Sequence, residues 1–70
     1  MKKYVLCINN NGYEVSLEKR KVYEEIYDES IINLGLIKVI DESGESYLYS
    51  KDFFVSVEIP EQVEELFSIA

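Results

Sequence analysis

Seventy residues make one small domain, because a chain this short cannot be divided into two cores. Hydrophobic residues are 47% of it and charged residues 30%, an ordinary globular balance that excludes disorder throughout. Fourteen acidic against seven basic side chains leave a net charge of −7, which a nucleic-acid backbone repels.

There is no histidine and only one cysteine. That removes zinc fingers, Cys–His and Ser–His catalysis and any internal disulfide framework, and no metal or cofactor is expected. No apolar run approaches the roughly 18–20 residues of a membrane-spanning helix. The basic start Met1-Lys2-Lys3 leads into an apolar run, Tyr4 to Ile8, that Asn9-Asn10-Asn11 stops. A secretory signal needs an apolar stretch of ~7–15 residues, so this run reads as a strand. With a lone thiol, the chain is expected in the cytoplasm. Domains of this size draw only about 3–5 kcal/mol from their cores. Support must come from good packing or self-association, so a monomer or weak homodimer is expected.

Lys3 to Ile8 is rich in aromatic and β-branched residues and ends at a cluster of turn formers, Asn9 to Gly12. It reads as the first strand, with Cys7 pointing inward as a small hydrophobe. Gly12 to Lys21 is polar with isolated apolar residues, a long folded-back loop pinned by Tyr13, Val15 and Leu17. Val22 to Tyr27 is the second strand. Its faces, Val22/Glu24/Ile26 and Tyr23/Glu25/Tyr27, carry one carboxylate each, so period-two counting leaves the buried face open.

Asp28 to Gly35 reads as one helical turn, capped by Asp28 or Ser30 and ended by Gly35. Leu36 to Ile40, nearly all β-branched, is the third strand. Asp41-Glu42-Ser43-Gly44-Glu45 is a hairpin turn with Gly44 where a positive φ is needed, and Ser46 to Tyr49 returns as the fourth strand. Ser50 to Phe53 suits a short 3₁₀ turn, and Phe54 to Ile59 a fifth strand. Pro60 stops that strand and fits the first position of a helix over about 60–68. Glu61, Glu64 and Glu65 lie near its positive end, and Val63, Leu66 and Phe67 form an apolar stripe. That stripe is expected to cap one open end of its own barrel, the competing reading being that it docks on a partner or a second copy. The expected fold class is all-β: a small five-stranded antiparallel barrel over about 3–59 with a short C-terminal helix.

This order of elements resembles an SH3-like barrel. Glu14 to Tyr23 looks like the end of that family's long first loop and its diverging turn. Leu36 to Leu48 matches the distal hairpin, and Tyr49 to Val55 sits where the family has its 3₁₀ turn. Peptide-binding SH3 domains place a Trp at the start of the hairpin strand, where this chain has Gly35-Leu36. They have Pro at the 3₁₀ turn, where Ser50 stands, and two groove tyrosines where Val5 and Cys7 stand. Phe53 alone keeps an aromatic at a groove position. The resemblance therefore implies the barrel and does not imply proline-rich peptide binding. The chain is also similar to a group of short uncharacterised bacterial proteins. They share its Tyr-Val-x-Cys start, its Gly-Tyr-x-x-Ser-Leu-Glu loop and its Gly-Leu-Ile-x-Val-Ile-Asp-Glu-Ser-Gly-Glu-x-Tyr-Leu-Tyr core. That resemblance carries no activity with it.

Asp41, Glu42 and Glu45 crowd one turn but lack the alternating acids and closing bidentate Glu of an EF-hand loop. They read as a solvated hairpin tip. Glu24, Glu25, Asp28 and Glu29 are the densest acidic group. A catalytic carboxylate pair needs a cleft that raises one pKa, and so small a barrel has little room for one. An acidic face that attracts a basic partner is the expectation. Lys19-Arg20-Lys21, bordered by Glu18 and Glu24, reads as a bland turn, and Cys7, without any His, as a buried inert thiol.

Tyr13, Tyr23, Tyr27, Tyr47, Tyr49, Phe53 and Phe54 are many aromatics for this length. Most fill the core, but Tyr47 and Tyr49 share one strand face with Leu48 on the other. Some tyrosines are therefore expected at the surface, where aromatic residues mark interfaces. The expected function is a non-catalytic protein-interaction module. Tyr27, Tyr47, Tyr49, Phe53, Glu24 and Glu25 would present its surface to another protein, a basic one, with no direct nucleic-acid or membrane contact. The alternatives are an acidic decoy or regulator of a nucleic-acid-binding protein, or a small accessory subunit of an enzyme.

Overall fold

The computed structural model describes residues 2–60. The expected C-terminal helix, with its stripe Val63, Leu66 and Phe67, falls outside them beyond Pro60. Five strands form: β1 (Lys3–Cys7), β2 (Val22–Glu25), β3 (Leu36–Ile40), β4 (Ser46–Ser50) and β5 (Phe54–Val57). They make one antiparallel sheet in the order β4-β3-β2-β1-β5, compatible with an SH3-like fold. Among the described residues no ladder joins β4 to β5, so the sheet is not closed as a barrel.

The strands stop where their pairing stops. β2 pairs with β1 along its whole length, from Lys3↔Glu25 to Leu6↔Val22, but meets β3 only at Glu25↔Val39. Past Glu25 a single bond from the Ile26 amide to the Lys38 carbonyl (2.8 Å) remains, so Ile26 and Tyr27 leave the strand. β2 and β3 thus diverge toward the β3–β4 turn and leave an opening between them. β5 likewise ends at Val57, the partner of Tyr4, short of the expected Ile59.

Register fixes the buried face of β2. Tyr23 stands opposite Val5 and is buried with it, so the Tyr23 side turns inward. The core is Val5, Cys7, Leu17, Tyr23, Val39, Tyr49 and Phe54, with Ile37 and Phe53 packed against it. Aromatic rings meet edge to face across it, Tyr23 on Phe54 at 6.4 Å and Tyr49 on Phe54 at 6.2 Å.

Two of the three expected loop pins hold. Leu17 is 1% exposed, and Tyr13 lies edge-on to Tyr49 at 5.0 Å and to Phe53 at 5.8 Å. Val15 is 97% exposed. The Leu17 amide bonds the Tyr13 carbonyl at 2.8 Å, one helical turn that puts positions 13 and 17 on the same side and 15 on the other.

The segment before β3 is a 3₁₀ helix over Glu29–Leu34. The Asp28 carboxylate accepts from the Ser30 amide at 3.0 Å, and Gly35, at φ 71°, supplies the left-handed residue that ends the helix. A second 3₁₀ turn, Lys51–Phe53, is capped by the Ser50 hydroxyl. Among the described residues no helix is long and apolar enough to cross a membrane.

Candidate interaction surface

The expected surface residues separate in the structure. Tyr27 is 61% and Tyr47 55% exposed, whereas Tyr49 is 4% exposed and belongs to the core. Tyr49 is therefore corrected from surface to interior. It shares a strand face with Tyr47, but lies under the rings of Tyr13 and Phe54 and is anchored by its hydroxyl. Phe53 is half-buried against the same aromatic group. Glu24 and Glu25, as neighbours on β2, point to opposite faces of the sheet and form no common patch.

The acidic group around them is partly neutralised. Glu24 lies 3.9 Å from the Lys2 ammonium. Asp28 accepts from Lys38 at 2.8 Å and from the Ser30 hydroxyl at 2.6 Å, and these bonds hold its carboxyl down at about 2. Lys3 stands over the Tyr27 ring at 5.5 Å.

The hairpin turn differs most from its expected reading. Asp41 is buried, not solvated, and accepts a 2.5 Å bond from the Tyr49 hydroxyl as well as bonds from the Ser43 amide and hydroxyl. Glu42 accepts from the Tyr23 hydroxyl at 2.6 Å and pairs with Lys21 at 2.6 Å. Burial works to raise Asp41, but the bonds from Ser43 and Tyr49 outweigh it and hold its carboxyl below the ordinary value. Lys21 and then Tyr23 do the same for Glu42. Both tyrosines shift up, Tyr49 by burial and then by Asp41, Tyr23 by burial and then by Glu42. The signal lay in the tyrosines: a core tyrosine needs a partner for its hydroxyl, and the turn supplied the nearest acceptors.

Two clefts result. One, about 470 Å³, fills the opening between β2 and the β3–β4 turn and is lined by Tyr4, Lys21, Glu24, Ile40 and Glu42 among others. Of its charged walls, Lys21 pairs with Glu42, and Glu24 lies beside Lys2. The second, about 230 Å³, lies beneath the 3₁₀ helix and brings together Glu25, Tyr27, Ile31, Ile32 and Leu36, with Lys3 and Lys38 at its rim. Tyr27, Ile32 and Leu34 are all exposed on this one connection. Tyr27 and Ile32 line the cleft beside Glu25.

In the larger cleft the Ser43 hydroxyl donates to the Asp41 carboxylate at 2.5 Å, a bond within the turn itself. Cys7 is fully buried, gives its thiol hydrogen to the Asn9 carbonyl at 3.3 Å and is pushed up by burial, which makes it a poor nucleophile. Among the described residues no three acidic or thiol side chains converge as metal ligands do. What the arrangement offers is surface: a small cleft of mixed polar and apolar walls with charges of both signs along it. No protein-family model matches this chain, and neither does a curated protein or a solved structure.

Proposed function

We propose that the chain is a non-catalytic interaction module, a single SH3-like domain in the cytoplasm that binds another protein. The observation that carries this reading is the exposed pair Tyr27 and Ile32 lining the smaller cleft beside Glu25, with Leu34 exposed on the same connection. Exposed aromatic and aliphatic side chains gathered on one connection favour a partner over solvent. The net charge of −7 selects a basic partner and speeds its encounter. The strand order and the core shared by all five strands favour the SH3-like reading, and the buried reduced thiol favours the cytoplasm.

The test is a comparison of captured proteins between the unaltered chain and two variants, Tyr27→Ala and Glu25→Lys, each matched for thermal stability. A defined basic partner lost with both variants is the expected result. Equal capture by all three chains overturns the reading. Binding to RNA or DNA at about 50 mM salt, where phosphate contacts are strongest, would overturn the charge argument.

A further inference from the structure

β4 is the last strand of the sheet, and β3 takes only one of its sides. The phase of the hairpin says which groups face outward. The Asp41 amide bonds the Glu45 carbonyl at 3.2 Å, and the Lys51 amide bonds the Gly35 carbonyl at 3.0 Å. Hydrogen-bonded pairs alternate with non-bonded ones in an antiparallel ladder, so Tyr47 and Tyr49 spend their backbone groups on Val39 and Ile37. Ser46, Leu48 and Ser50 direct theirs away from the sheet. Among the described residues no strand receives them.

Natural proteins blunt such an edge with lysine, proline, a bulge or a cover. The five residues of β4, Ser46-Tyr47-Leu48-Tyr49-Ser50, contain no charge and no proline. Side chains beside the open edge are apolar on both faces: Tyr47 is 55% and Leu48 45% exposed.

The sequence of β4 also reads the same in both directions. We propose that this edge pairs with the β4 edge of a second copy, antiparallel about a two-fold axis through Leu48. A two-fold interface needs one patch to be complementary to itself, and an antiparallel palindrome meets that condition. Leu48 then faces Leu48 of the partner subunit as a hydrogen-bonded pair, and Ser46 faces Ser50 of the partner subunit as another. These are the residues whose backbone groups point outward. Tyr47 faces Tyr49 of the partner subunit at a non-hydrogen-bonded position, where side chains come closest.

Charge fits the same register. One step beyond the strand, Glu45 comes opposite Lys51 of the partner subunit, twice by symmetry. Both residues are exposed. Shifting the register by two residues in either direction would lose the Leu48 pair and the Glu45–Lys51 match together. This interface leaves the Tyr27 cleft open to a different protein, so it stands or falls apart from the function proposed above.

Sedimentation equilibrium of the full chain, from micromolar to millimolar concentration, reads the association directly. A monomer–dimer equilibrium is expected. Glu45→Lys or Lys51→Glu alone should weaken it roughly tenfold, because each places two like-charged pairs across the interface. The double variant restores the opposite pairing and should recover the dimer. Leu48→Lys should abolish it. Amide exchange gives a second readout that no loss of folding can imitate. Protection of the Leu48 amide should rise with concentration, while the Tyr47 and Tyr49 amides stay protected throughout. A monomer at all concentrations, a dimer indifferent to the single reversals, or a Leu48 amide indifferent to concentration each overturns the proposal.

Discussion

The Tyr49 hydroxyl donates a hydrogen bond to the Asp41 carboxylate across 2.5 Å, joining the inner face of β4 to the turn that opens the strand. The same hydroxyl lies 3.0 Å from the Ser16 hydroxyl, and the Glu42 amide bonds the Ser16 carbonyl at 3.0 Å. Tyr23 repeats the motif, accepting from the Glu18 amide at 2.7 Å and donating to Glu42. Two tyrosines and two carboxylates thus tie the β3–β4 turn to the long first loop. The turn is a structural joint.

Removing one partner of that joint exposes its worth. Tyr49→Phe keeps the ring and leaves the buried Asp41 carboxylate short of a donor, which should cost about 1–3 kcal/mol. Tyr47→Phe, at an exposed position of the same strand, should stay within about 0.5 kcal/mol of the parent. Urea unfolding of both variants makes the comparison. Equal losses would mean that the Asp41 bond contributes nothing.

Acid should loosen the joint first. Asp41 and Glu42 are held below the ordinary values of 3.8 and 4.5. A carboxylate depressed in the folded state adds stability that is complete above its unfolded value and lost as pH falls through the folded one. The urea midpoint should therefore be level down to roughly pH 5 and fall progressively below it. The tyrosines act at the other end. Both are raised above 10.0 in the fold, so their contribution is complete below that value and lost as pH rises through the folded ones. Asp41→Asn should flatten the acid limb and, because Asp41 also helps to raise Tyr49, should reduce the tyrosine contribution at the alkaline end. An unchanged acid limb in that variant would assign the transition to other carboxylates, among them Asp28.

Much of this fold is legible because local chemistry and tertiary packing agree. Leu36 to Ile40 is rich in β-branched residues and half-buried around a buried Val39, Gly44 takes the positive φ of its turn, and Gly35 ends a capped helix between Asp28 and β3. What pattern counting misses is long-range. The buried face of β2 depends on Val5 lying across from Tyr23, and no periodicity inside β2 carries that information. The burial of Asp41 depends on a ring eight positions later, and the exposure of Val15 on a helical turn inside a loop. Tyr49 and Tyr47 look alike in sequence. Their difference arises from where the rings of Tyr13 and Phe54 lie.

Gly35 offers a clean backbone test. A Cβ there would meet nothing within 4 Å, yet φ is 71°, a region that costs an ordinary residue roughly 1–2 kcal/mol. Gly35→Ala should lose about that much in thermal or urea unfolding, and Gly35→Asn less, because asparagine tolerates the left-handed region. A silent alanine variant would mean that the helix end can reform without the left-handed residue.

Leu17 and Val15 are two positions apart in a polar stretch, and composition gives no reason to treat them differently. The helical turn at Tyr13 sends Leu17 into the core, among the most fully buried side chains, and leaves Val15 in water. Leu17→Ala removes buried methyl groups and leaves a cavity, which should cost about 2–5 kcal/mol. A domain of this size draws about 3–5 kcal/mol from its core, so the variant should be largely unfolded at room temperature. Val15→Ala removes contacts with solvent alone and should leave the midpoint within about 0.5 kcal/mol of the parent. Circular dichroism during urea titration distinguishes the outcomes. A folded Leu17→Ala chain with a near-parental midpoint would mean that the long loop rests on the sheet without holding it together.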